Sequence, residues 1–163
     1  MKIGFIGTGT MCGALARAAA KGGHTLLLAT RTPAKAEELV QASSNVRVVA
    51  IDSSEFERTL AETELFINCT PLGMQGVPSQ FSSFDFLDIL PPFSPVCDLI
   101  YRPLKTKLLE EADKRGHQTM NGLGMLIHQA ILALEQFASM PLDAALMMAA
   151  VQKRLVPVLE KSL

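Results

Sequence analysis

Gly7-Thr8-Gly9-Thr10-Met11-Cys12 follows a short apolar run, Ile3 to Ile6, and leads into an Ala- and Leu-rich stretch. The pattern is G-x-G-x-x-C, one small residue away from the turn that carries the pyrophosphate of a dinucleotide. Gly7 allows a tight turn, and Gly9 lets the backbone approach a phosphate. The third position asks only for a small residue where helix meets strand, which Cys12 provides. Thr8, Thr10 and Met11 complete the turn, and the helix N-terminus behind it supplies free amides and partial positive charge. The bland alternative is a tight turn with no ligand. The strand–turn–helix context favours binding.

Thr30-Arg31-Thr32 closes the next apolar run, and Lys35 follows one turn later. Sites for a cofactor with a free ribose 2′-hydroxyl usually place Asp or Glu there. Hydroxyl, guanidinium and ammonium groups suit a 2′-phosphate instead. The expected cofactor is therefore NADP rather than NAD. Asp52 is not the missing acid, because it follows the third apolar run rather than the second. No spacing of His, Cys, Asp or Glu suggests a metal site, and no nucleophile stands beside a base.

The elements needed to position these residues can be read along the chain. Lys2 to Ile6, Thr25 to Ala29, Val46 to Ala50, Leu65 to Asn68, Pro95 to Leu99 and Gln118 to Met120 read as strands. Met11 to Lys21, a segment from Pro33 to about Ala42, one from Ser53 or Ser54 to about Ala61, and one opening at Thr106 read as helices, the last closed by Gly116. Phe84 to Leu90 is expected to form a short helix. Residues 70–83, rich in Gly, Pro, Gln and Ser, make a loop longer than most, which marks it as functional. Strands alternating with helices predict an α/β, doubly wound Rossmann-type parallel sheet of six strands in the order 3-2-1-4-5-6. Two helices follow, about 125–138 and 142–156. The domain reading is a dinucleotide-binding domain over 1–124 with a helical extension over 125–163. The stretch AALMMAAV, 144–151, is apolar on nearly every face and should be buried. Pro157 should end or kink the last helix.

Net charge of −1 gives no basic field to draw nucleic acid. Three cysteines, without C-x-x-C spacing, suit a reduced chain. The first residues, MKIGFIGTG, read as a strand rather than a signal peptide. No apolar run approaches the ~18–20 residues of a membrane span. A cytoplasmic location, with neither membrane nor nucleic acid as partner, is expected.

Three further strings, NCTPLGM at 68–74, DLIYRP at 98–103 and NGLGMLIHQ at 121–129, resemble in order and spacing the cofactor half of shikimate dehydrogenase. That family reduces 3-dehydroshikimate to shikimate with NADPH, in aromatic amino acid biosynthesis. The resemblance runs from about residue 46 to residue 155. It implies cofactor contacts for Thr70, Leu99, Gly122 and Met125, and substrate contacts for Tyr101 and Gln129. It also supports the 2′-phosphate reading, since the family carries an Asn-Arg-Thr cluster with a downstream Arg where this chain has Thr30, Arg31, Thr32 and Lys35. The opening, IGFIGTGTMCGALA, is closer to pyrroline-5-carboxylate reductases and F420-dependent NADP reductases, which are NADP-type domains of the same fold.

The family's catalytic Lys and Asp lie ahead of its cofactor domain and have no counterpart here. Of the residues present, Tyr101 is the candidate proton donor. The resemblance therefore implies an NADP(H)-binding oxidoreductase domain without the usual N-terminal substrate domain. A non-catalytic NADP(H)-binding or interaction module is the alternative. The apolar final helices predict a homodimer formed through them, with a separate substrate-domain chain as the rival partner.

Overall fold

A computed structural model describes residues 1–34, 36 and 44–160. Six parallel strands form one sheet: β1 (Lys2–Ile6), β2 (Thr25–Thr30), β3 (Val46–Ala50), β4 (Leu65–Asn68), β5 (Val96–Asp98) and β6 (Thr119–Met120). Their order is β3-β2-β1-β4-β5-β6, as the alternation of strands and helices predicts. Five α-helices accompany them: α1 (Thr10–Lys21), α2 (Ser54–Leu60), α3 (Lys107–Lys114), α4 (Leu123–Ala138) and α5 (Ala144–Glu160). Pro33, Ala34 and Ala36 are also helical, while the rest of the helix expected there lies outside the described residues.

Strand alternation sorts the apolar side chains onto two faces. Ile3 and Phe5 of β1, in register with Leu26 and Leu28 of β2, pack with Cys12 and Ala16 of α1. On the other face Ile6, Leu27, Ala29, Phe66 and Val96 pack with Phe56 and Leu60 of α2 and with Leu108, Leu109 and Ala112 of α3. Cover on both faces explains why the inner strands β1 and β2 read as nearly continuous apolar runs. Ser53 caps α2 by accepting from the Phe56 amide at 3.2 Å, and Thr106 caps α3 by accepting from the Leu109 amide. Both helices therefore begin where cap chemistry places them. Phe84 to Leu90 contains only a short 3-10 turn, Asp85–Asp88.

Two expectations for the C-terminal helices need correction. The last helix, expected over about 142–156 and to end or kink at Pro157, runs over Ala144–Glu160 and so does not end there. Proline there removes one backbone donor near the helix end, and Leu159 in the final turn is held in an apolar cluster. The stretch 144–151 is not enclosed either. Met147, Met148 and Val151 are half-buried against α4, where Ile127 and Ile131 are buried, but Leu146 is 68% exposed. Helices α4 and α5 form a separate apolar cluster with each other and with Leu104 and Leu142. Leu132, Leu134, Phe137 and Met140 remain exposed, with Phe137 at 87%. Among the described residues no helix is long and apolar enough to cross a membrane.

Candidate functional site

The C-terminal ends of β1, β2 and β4 open into a cleft of about 1010 Å³, at the upper end of the roughly 300–1,000 Å³ usual for ligand sites. It lies where the strand order reverses between β1 and β4, the crevice in which open α/β sheets bind ligands. Gly7, Thr8, Gly9, Thr30, Arg31, Thr32 and Thr70 all line it. Seven of the residues singled out in the sequence therefore meet in one place.

The two glycines of the turn serve different ends. Gly7 has a φ of 100°, and a Cβ there would sit 2.9 Å from the Thr70 methyl carbon, so both the turn and the packing require glycine. A Cβ at Gly9 would meet nothing within 4 Å. No protein group fills the space where that Cβ would stand, so the backbone at Gly9 is open to close approach. Gly9 caps α1 without a side-chain hydrogen bond, and the first turn of α1 carries no acidic residue. Its leading amides are thus available to an anion. Thr10 and Met11 form that first turn and are exposed.

Thr30 is buried. Its hydroxyl lies 3.4 Å from that of Thr8 and accepts from the Thr32 amide at 3.2 Å. It ties the glycine turn to the end of β2. Arg31 and Thr32 are exposed beside it. Arg31 has no ion-pair partner among the described residues, so its guanidinium is available to a phosphate. Arg31 is also the one cation among the described residues lining the cleft, whereas Asp52, Glu57 and Asp85 line it as carboxylates. Lys35 lies outside the described residues.

The long loop after β4 walls the cleft with Val77, Gln80, Phe81 and the serines around them. Phe81 stacks at a tilt on Phe84 and Phe86, both 5.7 Å away between centroids, and Phe86 meets Phe66 of β4 at 5.4 Å. These aromatic contacts anchor the wall to the sheet.

The other expected contacts stand farther along the same sheet edge, beyond this cleft. Leu99 follows β5, and buried Gly122 caps α4. A Cβ on Gly122 would lie 1.9 Å from the Leu99 carbonyl oxygen, and the Gly122 amide donates to Ile100 O at 2.9 Å. The NGLGM glycine is therefore required by backbone-to-backbone packing. Met125 is half-buried on α4, while Tyr101 and Gln129 are exposed.

Asn68 and Asp98 end β4 and β5 and are fully buried. Residue types alone mark Asn68 only as a turn former and give Asp98 no part. The available signal was a polar residue closing each apolar strand. Burial pushes the Asp98 carboxyl above the usual range, and hydrogen bonds from Thr106, the Ile100 amide and Asn68 pull it back. Burial and the neighbouring Asp98 push the Cys97 thiol up to about 11. A hydrogen bond with Cys12, and burial, also raise Cys69, while the same bond lowers buried Cys12. Cys69 and Cys97 keep their protons at neutral pH, and the Cys12 side chain is closed off from solvent, so no thiol is poised as a nucleophile. The described residues contain no cluster able to hold a metal ion.

Comparison with known proteins agrees with this geometry. Residues 2–83, half of the chain, match the family described as NADP oxidoreductase, coenzyme F420-dependent, and residues 122–152 match the shikimate 5′-dehydrogenase C-terminal domain. The chain is 38% identical over 132 residues to the shikimate dehydrogenase (NADP(+)) of Shouchella clausii, covering 81% of this chain and 47% of the relative. It is 40% identical over 112 residues to that of Roseobacter denitrificans, covering 69% and 39%. The crystal structure of shikimate 5-dehydrogenase from Listeria monocytogenes, in complex with shikimate and NAD, superposes with a TM-score of 0.80 at 28% identity, over 92% of this chain and 55% of that one. A shikimate dehydrogenase in complex with NADP⁺ superposes with a TM-score of 0.79 at 30% identity, over 94% and 54%. The chain thus spans about half the length of the curated relatives it matches.

Proposed function

We propose that this chain, which belongs to the NADP oxidoreductases as the cofactor half of the shikimate dehydrogenase family, serves in reducing 3-dehydroshikimate to shikimate. Its cofactor is NADP. The observation that carries the reading is the cleft at the reversal of strand order, with the Gly7–Gly9 turn on one side and Arg31 on another. Gly9 and the α1 amides hold the pyrophosphate, and Arg31, Thr32 and Lys35 hold the 2′-phosphate. Thr70, Leu99, Gly122 and Met125 bound the nicotinamide end, and Tyr101 and Gln129 meet substrate. When bound, NADPH supplies the hydride. The residues of this chain orient it and keep water from one face, and Tyr101 is the group in this chain that could hand a proton to the carbonyl. The free thiols suit the cytoplasm.

Ketone reduction needs a gripped substrate and a placed acid, and general acid–base catalysis contributes typically ~10²–10⁴-fold. The chain alone is expected to oxidise shikimate with NADP⁺ barely above background. Adding a separately expressed N-terminal half of a relative should raise the rate by at least about a hundredfold. Brisk turnover by the chain alone, abolished in Tyr101→Phe, would instead place the proton donor here. No turnover in either arm, with NADPH still bound, would favour a binding module.

Assembly follows from the exposed apolar face of α4 and α5. Met147 and Val151 hold the two helices together, so the residues exposed to meet a partner include Leu132, Phe137 and Leu146. Apolar patches of this kind usually mark interfaces, and a symmetric pair is the commonest closed arrangement. We expect light scattering at tens of micromolar to report twice the chain mass, and Phe137→Lys with Leu146→Lys to return it to one. A well-behaved monomer in the parent would count against the homodimer and leave the substrate half as the partner.

A further inference from the structure

Asp98 makes an arrangement that neither the fold nor the cleft requires. Its carboxylate is fully buried, with no cation beside it among the described residues. Such burial is costly unless hydrogen bonds compensate. Oδ1 accepts from Asn68 Nδ2 at 3.0 Å and from the Ile100 amide at 3.1 Å, and Oδ2 accepts from Thr106 Oγ1 at 2.6 Å. The three donors come from three places: the end of β4, the loop after β5 and the cap of α3.

Each bond passes its constraint onward. With its Nδ2 held by Asp98, Asn68 must present Oδ1 to the loop, where it accepts from the Thr70 amide at 2.9 Å and from Thr70 Oγ1 at 2.7 Å. Thr70 Oγ1 in turn accepts from the Leu72 amide, and the Thr70 methyl packs on Gly7. On the other side Ile100, fixed through its amide, offers its carbonyl to Gly122 N. Leu99, between Asp98 and Ile100, donates its amide to the Asn68 carbonyl at 3.0 Å and packs its own carbonyl on Gly122. One carboxylate thus sets the loops after β4, β5 and β6 in a common register.

The topology says which half of a dinucleotide these loops serve. In a doubly wound sheet the two mononucleotide halves lie on either side of the order reversal. Arg31, at the end of β2, marks the side of β1–β3 for the adenosine 2′-phosphate. The loops tied to Asp98 close β4, β5 and β6, and so serve the nicotinamide half. We propose that Asp98 is a positioning residue for the nicotinamide half of the cofactor: through Asn68, Ile100 and Thr106 it holds Thr70, Leu99 and Gly122 in one rigid edge. This deepens the reading of the cleft as an NADP site and rests on it.

The test compares two probes, NADPH and adenosine 2′,5′-bisphosphate, which lacks the nicotinamide half. Titrations use the parent, Asp98→Asn and Thr106→Val, well below each variant's own melting temperature. Asp98→Asn keeps the shape but turns an acceptor into a donor where only acceptors fit. Thr106→Val removes one donor, and with it the side-chain cap of α3, but leaves the carboxylate and its other two bonds, so it covers the case in which Asp98→Asn does not fold. Losing hydrogen bonds to a charged group should weaken NADPH by about tenfold or more in Asp98→Asn and by less in Thr106→Val. Adenosine 2′,5′-bisphosphate should keep its parent affinity within about twofold in both. Equal losses for both probes, or none for either, would overturn the proposal and leave Asp98 a stability residue. A parent that binds neither probe would overturn the NADP reading itself.

Discussion

Gly122→Ala is expected to lower the melting temperature by roughly 6–12 °C. A Cβ at that position would lie 1.9 Å from the Leu99 carbonyl oxygen, 2.4 Å from its carbonyl carbon and 3.0 Å from its Cα. All three are backbone atoms of the residue that follows β5, so no side chain can turn aside. Either α4 must lift from the sheet or the loop after β5 must move, and both break the bond from Gly122 N to Ile100 O. Overpacking costs typically about 1–3 kcal/mol; a clash with backbone that cannot turn aside belongs at the top of that range, about 3 kcal/mol, which at about 2–4 °C per kcal/mol for a chain of this size gives the expected shift. Two residues on, Gly124 is the control. It lies in the first turn of α4, and a Cβ there would meet nothing within 4 Å. Gly124→Ala should therefore stabilise by up to about 1 kcal/mol. Thermal melts followed by circular dichroism would show both effects. A Gly122→Ala protein melting within a degree or two of the parent would contradict the close approach of α4 to β5.

The sheet was legible because most of its strands are largely apolar runs closed by turn residues, and because Ser53 and Thr106 announce their helices. The residues that meet at the cleft were legible for a similar reason. Gly7, Gly9, Thr30, Arg31 and Thr32 are short-range signals, each a fixed step from the end of a strand. The far side was not legible from residue types alone. Asn68 and Asp98 are thirty residues apart in sequence and meet only because β4 and β5 are neighbours. An Asn before a loop looks like any turn former until its partner is in place. Thr30 shows a second role that its type did not announce: it lines the cleft and, being buried, also braces Thr8 and Thr32. The C-terminal helices misled for a different reason. An all-apolar stretch says that cover is needed, and only packing shows how much of it the chain supplies.

On the proposed reading, selection of the 2′-phosphate rests on few groups, so a large loss is expected when one is removed. Arg31 is the single cation among the described lining residues, against Asp52, Glu57 and Asp85 in the same cleft. With no other cation among the described lining residues to share the load, Arg31→Ala should remove most of the attraction. A hydrogen bond to a charged group is worth about 1.5–3 kcal/mol, so the variant should bind NADPH about ten- to a hundredfold more weakly. NADH, which lacks the 2′-phosphate, should be nearly unaffected, and added salt should narrow the gap between the two cofactors because Arg31 is exposed. The most direct test of the account is calorimetric titration of the parent chain with NADPH and NADH side by side. One cofactor per chain, with NADPH at least about tenfold the tighter, is the result expected. Equal affinities would contradict the reading of Arg31 and its neighbours, and no binding of either would contradict the assignment of the cleft.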